Sequence, residues 1–286
     1  MRRGTGDPTY RPDPADPDGT IWRTMRAPTG PAAVRIELRP EAGEVVGTAW
    51  GPGGEWALDA LPGSLGAGDR DADAFRPGHR LLAELRRRHP GWRVPCTTLV
   101  LEALVPAILE QKVTATEAWR AWRCLLQWYG EPAPGPAPAG MRVVPPERVW
   151  RLIPSWDWHR AGVDAKRSRA VIGAAAVAGR VEQSVRLQPE EADRRLRSLP
   201  GVGVWTSAEV RQRALGDPDA VSVGDLHLPG LVGHALIGRR VDDDGMLELL
   251  APYGGHRYRA VRLIELSGLR PERRAPRFAP RDFRSL

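Results

Sequence analysis

Cysteine and lysine are both scarce in this chain of 286 residues. The two cysteines, Cys96 and Cys124, show no C-x-x-C spacing and cannot build a four-thiolate cluster. Lys112 and Lys166 are the only lysines among 42 basic residues. The cysteine count predicts a reduced, cytoplasmic protein without structural zinc or an iron–sulfur cluster. The lysine count leaves few candidates for amine chemistry.

Long apolar runs and metal-binding patterns are also missing from the sequence. No run approaches the ~20 apolar residues of a membrane span, and residues 1–20 are too polar and proline-rich for a signal peptide. The six histidines show no HExxH or other paired ligand spacing. We therefore expect an intracellular protein with no membrane partner and no metal site built from histidine.

The charge balance favours a polyanionic partner. The chain carries 42 basic and 35 acidic residues, which gives a net charge of +7, and its pI is near 10.2. Such a balance is typical of proteins that bind nucleic acid. GC-rich coding would also enrich arginine, so the charge alone leaves both explanations open.

Three regions differ in their hydrophobic pattern, and they predict a mainly α protein with a small N-terminal antiparallel β-rich subdomain, α+β overall. Residues 1–19 are rich in proline and charge and predict disorder. Alternating apolar residues predict the β-rich piece over residues 20–76. Helical spacing predicts a helical domain over 77–268, and residues 269–286 form a basic tail.

A tight turn separates two predicted helices in the second half of the chain. PEEADRRLRSL (189–199) and WTSAEVRQRAL (205–215) both have amphipathic spacing. Between them Pro200, Gly201, Val202 and Gly203 must reverse the chain, which glycine allows because it reaches positive φ without steric cost. Bare N–H groups at the start of a helix suit a phosphate. An ordinary connector containing glycine explains the same four residues equally simply.

A carboxylate follows the turn at a defined distance. Asp225 lies twenty residues after Trp205, inside DAVSVGDLHLPG, at the predicted start of the next helix. A carboxylate beside a sugar can stabilise the positive charge that develops when an N-glycosidic bond breaks, or align a water molecule. Asp225 can equally be a helix N-cap, or serve both roles.

These motifs together resemble the helix-hairpin-helix superfamily of DNA glycosylases, and within it the bacterial alkylation-repair branch of 3-methyladenine DNA glycosylase II. ILEQKVTATEAW (108–119) is similar to that family's ILxQxVS helix junction, and APYGGHRYRAVRLI (251–264) is similar to its proline-aromatic-arginine helix. The resemblance covers roughly residues 20–268. It also implies an N-terminal β-rich subdomain.

The resemblance implies an enzyme of base excision repair. Such an enzyme flips a damaged, alkylated base out of double-stranded DNA and hydrolyses its N-glycosidic bond, because a base inside the duplex cannot be reached. Asp225 would be the catalytic carboxylate and Trp205 would line the base pocket, although a buried tryptophan can also be core. Bifunctional relatives carry a lysine where this chain has Trp205, so the resemblance implies a monofunctional enzyme without AP-lyase activity.

The resemblance also assigns DNA contacts. They fall on the helix junction and the hairpin, and they are expected from Gln111, Lys112, Pro200, Gly201, Val202, Gly203 and Thr206. Lys112 stands where relatives carry an apolar wedge, and its aliphatic stem can fill the gap left by the flipped base or its charge can contact phosphate. No cofactor is implied other than a monovalent cation bridged by hairpin carbonyls. The protein is expected to act as a monomer, associated with the nucleoid when bound to DNA.

Two glutamates depart from the family pattern. Relatives carry aromatic residues at the positions of Glu209 and, by ungapped extension, Glu265. Aromatic faces attract electron-deficient alkylated bases, so carboxylates predict a differently shaped or more polar pocket. If they spoil the pocket, the chain would be a non-catalytic helix-hairpin-helix protein that binds DNA or lesions. Asp225 separates the two hypotheses, because a pure binder has no need of it.

Overall fold

The computed structural model describes residues 2–269. An antiparallel sheet opens the fold, with strands in the order β1 (Tyr10–Pro12), β2 (Thr20–Ala27), β3 (Gly30–Arg39) and β4 (Glu44–Trp50). Burial alternates along β2 and β3 because successive side chains point to opposite faces, and the inner face packs on a short helix. The predicted β-rich subdomain is therefore present.

Fourteen α-helices lie within the described part of the chain. All of them follow the four-stranded sheet, and twelve lie within residues 77–268, where the sequence predicted helices. They are α1 (Gly54–Asp59), α2 (Leu61–Ser64), α3 (Arg80–Arg88), α4 (Val100–Leu109), α5 (Ala115–Tyr129), α6 (Glu147–Leu152), α7 (Ser155–Arg160), α8 (Ala165–Ala176), α9 (Ala178–Glu182), α10 (Pro189–Arg197), α11 (Val204–Val210), α12 (Leu228–Ile237), α13 (Asp243–Leu250) and α14 (Arg257–Leu266). A π-helical turn, Arg211–Leu215, continues α11, and a two-stranded ribbon pairs β5 (Glu131–Pro132) with β6 (Arg142–Val143).

Three hydrophobic clusters hold these elements together. The first cluster surrounds α4, whose side chains are almost all buried, and extends through α5–α8 to α11. The second cluster joins α3 to α12, α13 and α14. The third lies beneath the sheet. The helical region thus forms two lobes, and the segment between α11 and α12 crosses from the first lobe to the second.

The boundary predicted at residue 76 divides elements that pack together. The helices α1 and α2 lie within residues 20–76, and α1 packs against β3 and β4. Phe75 belongs to the second hydrophobic cluster, in the helical part of the molecule. The basic tail predicted over residues 269–286 lies, from residue 270 on, outside the described residues.

The prediction of disorder for residues 1–19 is wrong for the described part of that segment. Tyr10–Pro12 forms an edge strand on β2, and Asp7 is 1% exposed. Asp7 accepts hydrogen bonds from Trp122 Nε1 (3.0 Å) and from the Thr9 hydroxyl (2.8 Å). The buried carboxylate of Asp7 is thus satisfied by a near neighbour and by Trp122 on α5, more than a hundred residues away along the chain.

Candidate active site and DNA-binding hairpin

The two glycines of the predicted hairpin serve different purposes. Gly201 has φ +86°, and a Cβ added there would lie 2.8 Å from the Cβ of Ala170 on α8, so both conformation and space require glycine. Gly203 has φ −99° and ψ −173°, and an added Cβ would meet nothing within 4 Å. Within the protein, neither the backbone conformation nor the surrounding space requires glycine at position 203. Gly203 leaves this part of the surface without a side chain, and it faces outward.

The hairpin ends in an uncapped helix start. Gly203 is the N-cap of α11 and contributes no side-chain hydrogen bond, and the first intrahelical bond of the helix is donated by Ser207 N to Gly203 O (3.0 Å). The preceding amides of a helix have no intrahelical acceptor. Val202, 7% exposed, anchors the turn in the first cluster, while Pro200 is exposed. The tip can thus present N–H groups while its core side is fixed.

Gln111 connects the α4–α5 turn to the hairpin. Its Nε2 donates to Gly201 O (2.9 Å) and to Thr206 Oγ1 (2.7 Å). Thr206 is 2% exposed, so its hydroxyl lies inside the protein and does not form part of the outer surface. Sequence reasoning placed Gln111 and Thr206 on the DNA-binding side, and the structure brings both to the hairpin. Their side chains bond to the hairpin and to each other.

Lys112 follows Gln111 in an unusual backbone conformation. It has φ +55° and an exposed side chain, whereas residues other than glycine seldom adopt positive φ. The turn is held from both sides, because Arg167 Nη1 donates to Leu109 O (2.7 Å) and Gln111 bonds to the hairpin. The fold therefore imposes a strained conformation on the one lysine of this junction, and such strain clusters at functional sites.

Trp205 and Asp225 are in direct contact. The indole Nε1 of Trp205 donates to Asp225 Oδ2 across 3.2 Å. The other oxygen, Oδ1, accepts from the backbone amides of His227 (2.8 Å) and Leu228 (3.0 Å) at the start of α12. Asp225 lies two residues before His227, the N-cap residue of α12, and its Oδ1 caps the amides at the helix start while Oδ2 points at the indole. The run before it forms turns and extended backbone, with no β-strand.

The next side chain along this face of α11 is Glu209. It is 9% exposed, accepts a hydrogen bond from Ser222 Oγ at Oε1 (2.7 Å) and pairs through Oε2 with Arg213 Nη1 (2.7 Å). Burial works to lower the pKa of Arg213, but Glu209 and neighbouring groups hold that pKa above its usual value. Glu209 is therefore an ion-paired carboxylate at the boundary between the two lobes.

Glu265 lies elsewhere. It is exposed on α14 and pairs with Arg262, one turn before it on the same helix. The aromatic residue on α14 near Glu209 and Arg213 is Tyr258. Burial raises the pKa of Tyr258, although the charge of Arg213 acts to lower it. The ungapped extension that selected Glu265 therefore identified an exposed position on the helix.

The sequence did not predict one ion pair in this region, which is made by the N-terminal segment. Arg3, from the segment predicted to be disordered, pairs with Glu110 (3.1 Å) at the end of α4. Burial lowers the pKa of Arg3, and the charges of Arg213, Glu110 and Glu209 also act on it. No local pattern signals this contact, because its partners are separated by more than a hundred residues.

The described residues contain no cluster of three or more histidine, cysteine, aspartate or glutamate side chains arranged to hold a metal ion. Cys96 and Cys124 are both free thiols. None of the helices between residues 2 and 269 has both the length and the apolar character that a bilayer crossing requires.

Sequence comparison identifies DNA-repair relatives. The chain is 34% identical over 144 residues to the probable bifunctional transcriptional activator/DNA repair enzyme AlkA of Mycobacterium tuberculosis, covering 49% of this chain and 28% of that protein. It is 26% identical over 182 residues to the DNA-3-methyladenine glycosylase of Bacillus subtilis, covering 60% and 58%. The chain thus spans less than two thirds of either relative. No family model matches it.

Structure comparison finds the same class of fold. The 3-methyladenine DNA-glycosylase of Archaeoglobus fulgidus superposes with a TM-score of 0.69 at 19% identity, covering 86% of each chain. An 8-oxoguanine glycosylase/lyase of Clostridium acetobutylicum, in complex with double-stranded DNA, superposes with a TM-score of 0.68 at 12% identity, covering 91% of this chain and 88% of that one.

The fold is that of the helix-hairpin-helix DNA glycosylases. The fold predicted from the LPGVG hairpin and Asp225 is confirmed, and the names of the sequence relatives agree with the resemblance to the alkylation-repair branch.

Proposed function

We propose that the chain is a monofunctional DNA glycosylase of base excision repair. It flips a damaged, alkylated base from double-stranded DNA and hydrolyses the N-glycosidic bond, which leaves an abasic site. The observation that carries the proposal is the fixed carboxylate of Asp225, which is held by Trp205, just after an outward-facing hairpin, and by the start of α12.

The hairpin would contact the DNA backbone. Amides at the start of α11 donate to a phosphate oxygen, and the bare surface of Gly203 lets the backbone approach closely. Lys112 lies on the adjoining turn, tied to the hairpin through Gln111, and would either fill the space left by the flipped base or contact a second phosphate.

The flipped nucleotide would then lie beside the contact between Trp205 and Asp225. The indole offers a flat apolar face for stacking, and a damaged base costs less to extrude than a well-paired one. As the glycosidic bond breaks, positive charge develops on the sugar, and Oδ2 of Asp225 stabilises that charge or orients the attacking water. Because Oδ1 is bonded to two backbone amides, the carboxylate needs no reorganisation during the reaction.

Hydrolysis without strand cleavage follows from Trp205. An AP-lyase reaction needs an amine to attack the sugar, and the residue in contact with Asp225 is a tryptophan. The chain's lysines, Lys112 and Lys166, lie on the α4–α5 turn and in the first turn of α8. The neighbouring folds include a glycosylase/lyase, so this part of the proposal depends on the residues of this chain.

A monovalent cation at the hairpin belongs to the same proposal. The turn offers neutral carbonyl oxygens, which suit hard, weakly held ions. Gly201 O already accepts from Gln111, so the neighbouring carbonyls of the turn would hold the ion. We further propose that the protein acts as a monomer in the cytoplasm, on nucleoid DNA.

A panel of duplexes tests the proposal directly. Each duplex carries one alkylated, deaminated or oxidised base, and base release is measured under single-turnover conditions with strand breaks counted before and after alkali. The proposal expects release of at least one alkylated base. The alternative, a lesion-binding protein without chemistry, expects tight binding to a lesion duplex and no release from any member of the panel.

A further inference from the structure

Two hydrogen bonds connect α11 to the segment that leads to Asp225. Trp205 bonds to Asp225 (3.2 Å), and one helical turn further on Glu209 accepts from Ser222 (2.7 Å). Residues four apart share a helix face, and one turn rises about 5.4 Å. Glu209 therefore lies about one turn deeper than Trp205, on the same side of the helix and between the same two chain segments.

The charge of Glu209 is balanced, but its acceptor capacity is not exhausted. An ionised carboxylate has about four acceptor sites. The recorded bonds, from Ser222 and Arg213, use one site on each oxygen, and the side chain remains 11% exposed. Arg213 supplies the opposite charge that a buried carboxylate requires. Glu209 can thus accept further hydrogen bonds without becoming an isolated buried charge.

Neighbouring groups fix the direction of this carboxylate. Gln212 Nε2 donates to Ser222 Oγ (2.9 Å) and to Ala220 O (2.8 Å), and the serine hydroxyl in turn donates to Glu209. Arg213 also donates to the backbone oxygen of Glu209 (2.9 Å). A group held by such a network is preorganised for recognition.

We propose that Glu209 is a specificity-determining residue that reads the edge of the extruded base. An ionised carboxylate only accepts hydrogen bonds, so it selects bases that retain N–H donors, such as an exocyclic amino group or a ring N–H. The substrate class is alkylated purines with free N–H donors, in preference to cyclic adducts in which those nitrogens are blocked. The inference rests on the proposed function and narrows its substrate.

Glu209 should act on binding more than on the chemical step. A ring-alkylated purine such as 7-methylguanine is positively charged before the glycosidic bond breaks, and this charge moves to the sugar as the bond breaks. A carboxylate on the base edge therefore stabilises the bound ground state at least as well as the transition state, which lowers the half-saturating concentration without raising the maximal rate constant. Asp225, beside the sugar, should have the opposite signature.

The test uses Glu209→Gln, which keeps the size of the side chain and an oxygen for Ser222. Two duplexes are compared, one with 7-methylguanine, which keeps its N–H donors, and one with 1,N6-ethenoadenine, in which they are blocked. The half-saturating enzyme concentration for 7-methylguanine should rise by about tenfold, as for loss of a charge-assisted hydrogen bond. The value for ethenoadenine should change by less than about twofold, and the maximal rate constants should stay unchanged.

Asp193→Asn is the matched control. Asp193 also accepts from a serine hydroxyl of α11, Ser207 Oγ (2.7 Å), and lies 3.7 Å from Arg211, but Ser207 belongs to a different face of the helix from Trp205. The Asp193→Asn variant should not change the ratio of the half-saturating concentrations for the two duplexes. If Glu209→Gln proves unstable by thermal unfolding, Ser222→Ala frees the orientation of Glu209 without removing its charge, and a smaller shift in the same ratio is expected.

The outcomes separate the two proposals. If Glu209→Gln weakens the binding of both duplexes equally, or leaves the ratio of their half-saturating concentrations unchanged, Glu209 serves only as the structural partner of Arg213. The inference would then be wrong, although excision stands. If the wild type releases no base from either duplex, the proposed function fails. The ratio of equilibrium affinities for the two duplexes, measured on the same proteins, then decides for or against Glu209 as the reader of the base edge.

Discussion

The indole Nε1 of Trp205 lies 3.2 Å from Oδ2 of Asp225, which joins the start of the hairpin helix to the start of α12. The same carboxylate accepts two backbone amides through Oδ1. The sequence left helix capping and catalysis as alternatives for Asp225; Oδ1 bonds to the start of α12, and the proposed catalytic role would fall to Oδ2. The two roles can be separated by mutation.

Asp225→Asn should lower the single-turnover excision rate by about 10²-fold or more while leaving DNA affinity within a few-fold. Asparagine caps helices as well as aspartate does, so α12 should stay intact. Asp225→Ala serves as the control, because it also removes the cap and should lower the free energy of unfolding by about 1 kcal/mol. Wild-type rates for the asparagine protein on a validated substrate would rule out a catalytic role.

Borohydride should trap no covalent adduct between the wild-type protein and a lesion duplex. A Schiff base needs an amine at the sugar, and Trp205 occupies the place beside Asp225. Strand breaks should appear only after alkali or heat. Lys112→Arg and Lys166→Arg identify the source of any adduct that does form. An adduct that either variant abolishes would contradict the hydrolytic mechanism, and one that survives both would point to the N-terminal amine.

The features that could be predicted from the sequence are those with local signatures. Paired glycines in LPGVG and an aspartate at a helix start are constrained by backbone geometry over a few residues, so the tight turn and the position of Asp225 before α12 could both be predicted. The sheet and the helices follow from hydrophobic periodicity in the same way.

The features that could not be predicted depend on contacts between distant segments. Asp7, although buried, is bonded by Trp122, and the orientation of the Glu209 carboxylate depends on the hydroxyl of Ser222. Neither partner is marked by spacing. The positive φ of Lys112 is likewise imposed by the surrounding turn, since lysine has no preference for that region.

Lys112→Gly should raise the free energy of unfolding by up to about 1 kcal/mol, because glycine adopts φ +55° without strain. The same change should lower base excision, since both roles proposed for Lys112 need its side chain. Lys112→Leu distinguishes the two roles left open for this residue. A wedge needs bulk, so leucine should keep excision near wild type, whereas loss of a phosphate contact should reduce the salt dependence of binding by about one ion.

The free energy of unfolding should decrease as the pH falls, because of the Asp69–Arg259 ion pair. Arg259 donates to both oxygens of Asp69 (2.8 and 2.6 Å), and both side chains are almost fully buried. Burial works to raise the pKa of Asp69, but Arg259 and the Val94 amide outweigh it and hold that pKa below its usual value. The folded state therefore favours the ionised carboxylate, whose contribution is complete above about pH 4 and is lost as the pH falls further.

The variant Asp69→Asn isolates this contribution. It leaves Arg259 buried without its counter-charge, so it should cost about 3–5 kcal/mol at neutral pH. Thermal unfolding followed from pH 7 to pH 3 should show a smaller decline for the variant than for the wild type. Parallel declines for the two proteins would assign the acid sensitivity to other carboxylates.

Gly203→Ala should weaken binding to damaged and undamaged duplex by similar factors. An alanine Cβ would meet nothing within 4 Å and φ is negative, so the protein should fold normally, but the methyl group would stand where a phosphate would approach the amides of α11.

Gly201→Ala differs from Gly203→Ala, since positive φ and the contact with Ala170 should lower the stability of the fold first. Gly179→Ala is the surface control, because α9 packs at the opposite end of α4 from Lys112, where Glu182 caps Val100. Wild-type binding should fall steeply with salt as counterions are released. A folded Gly203→Ala protein that binds undamaged duplex as tightly as wild type would mean that LPGVG is a connector without a role in DNA contact.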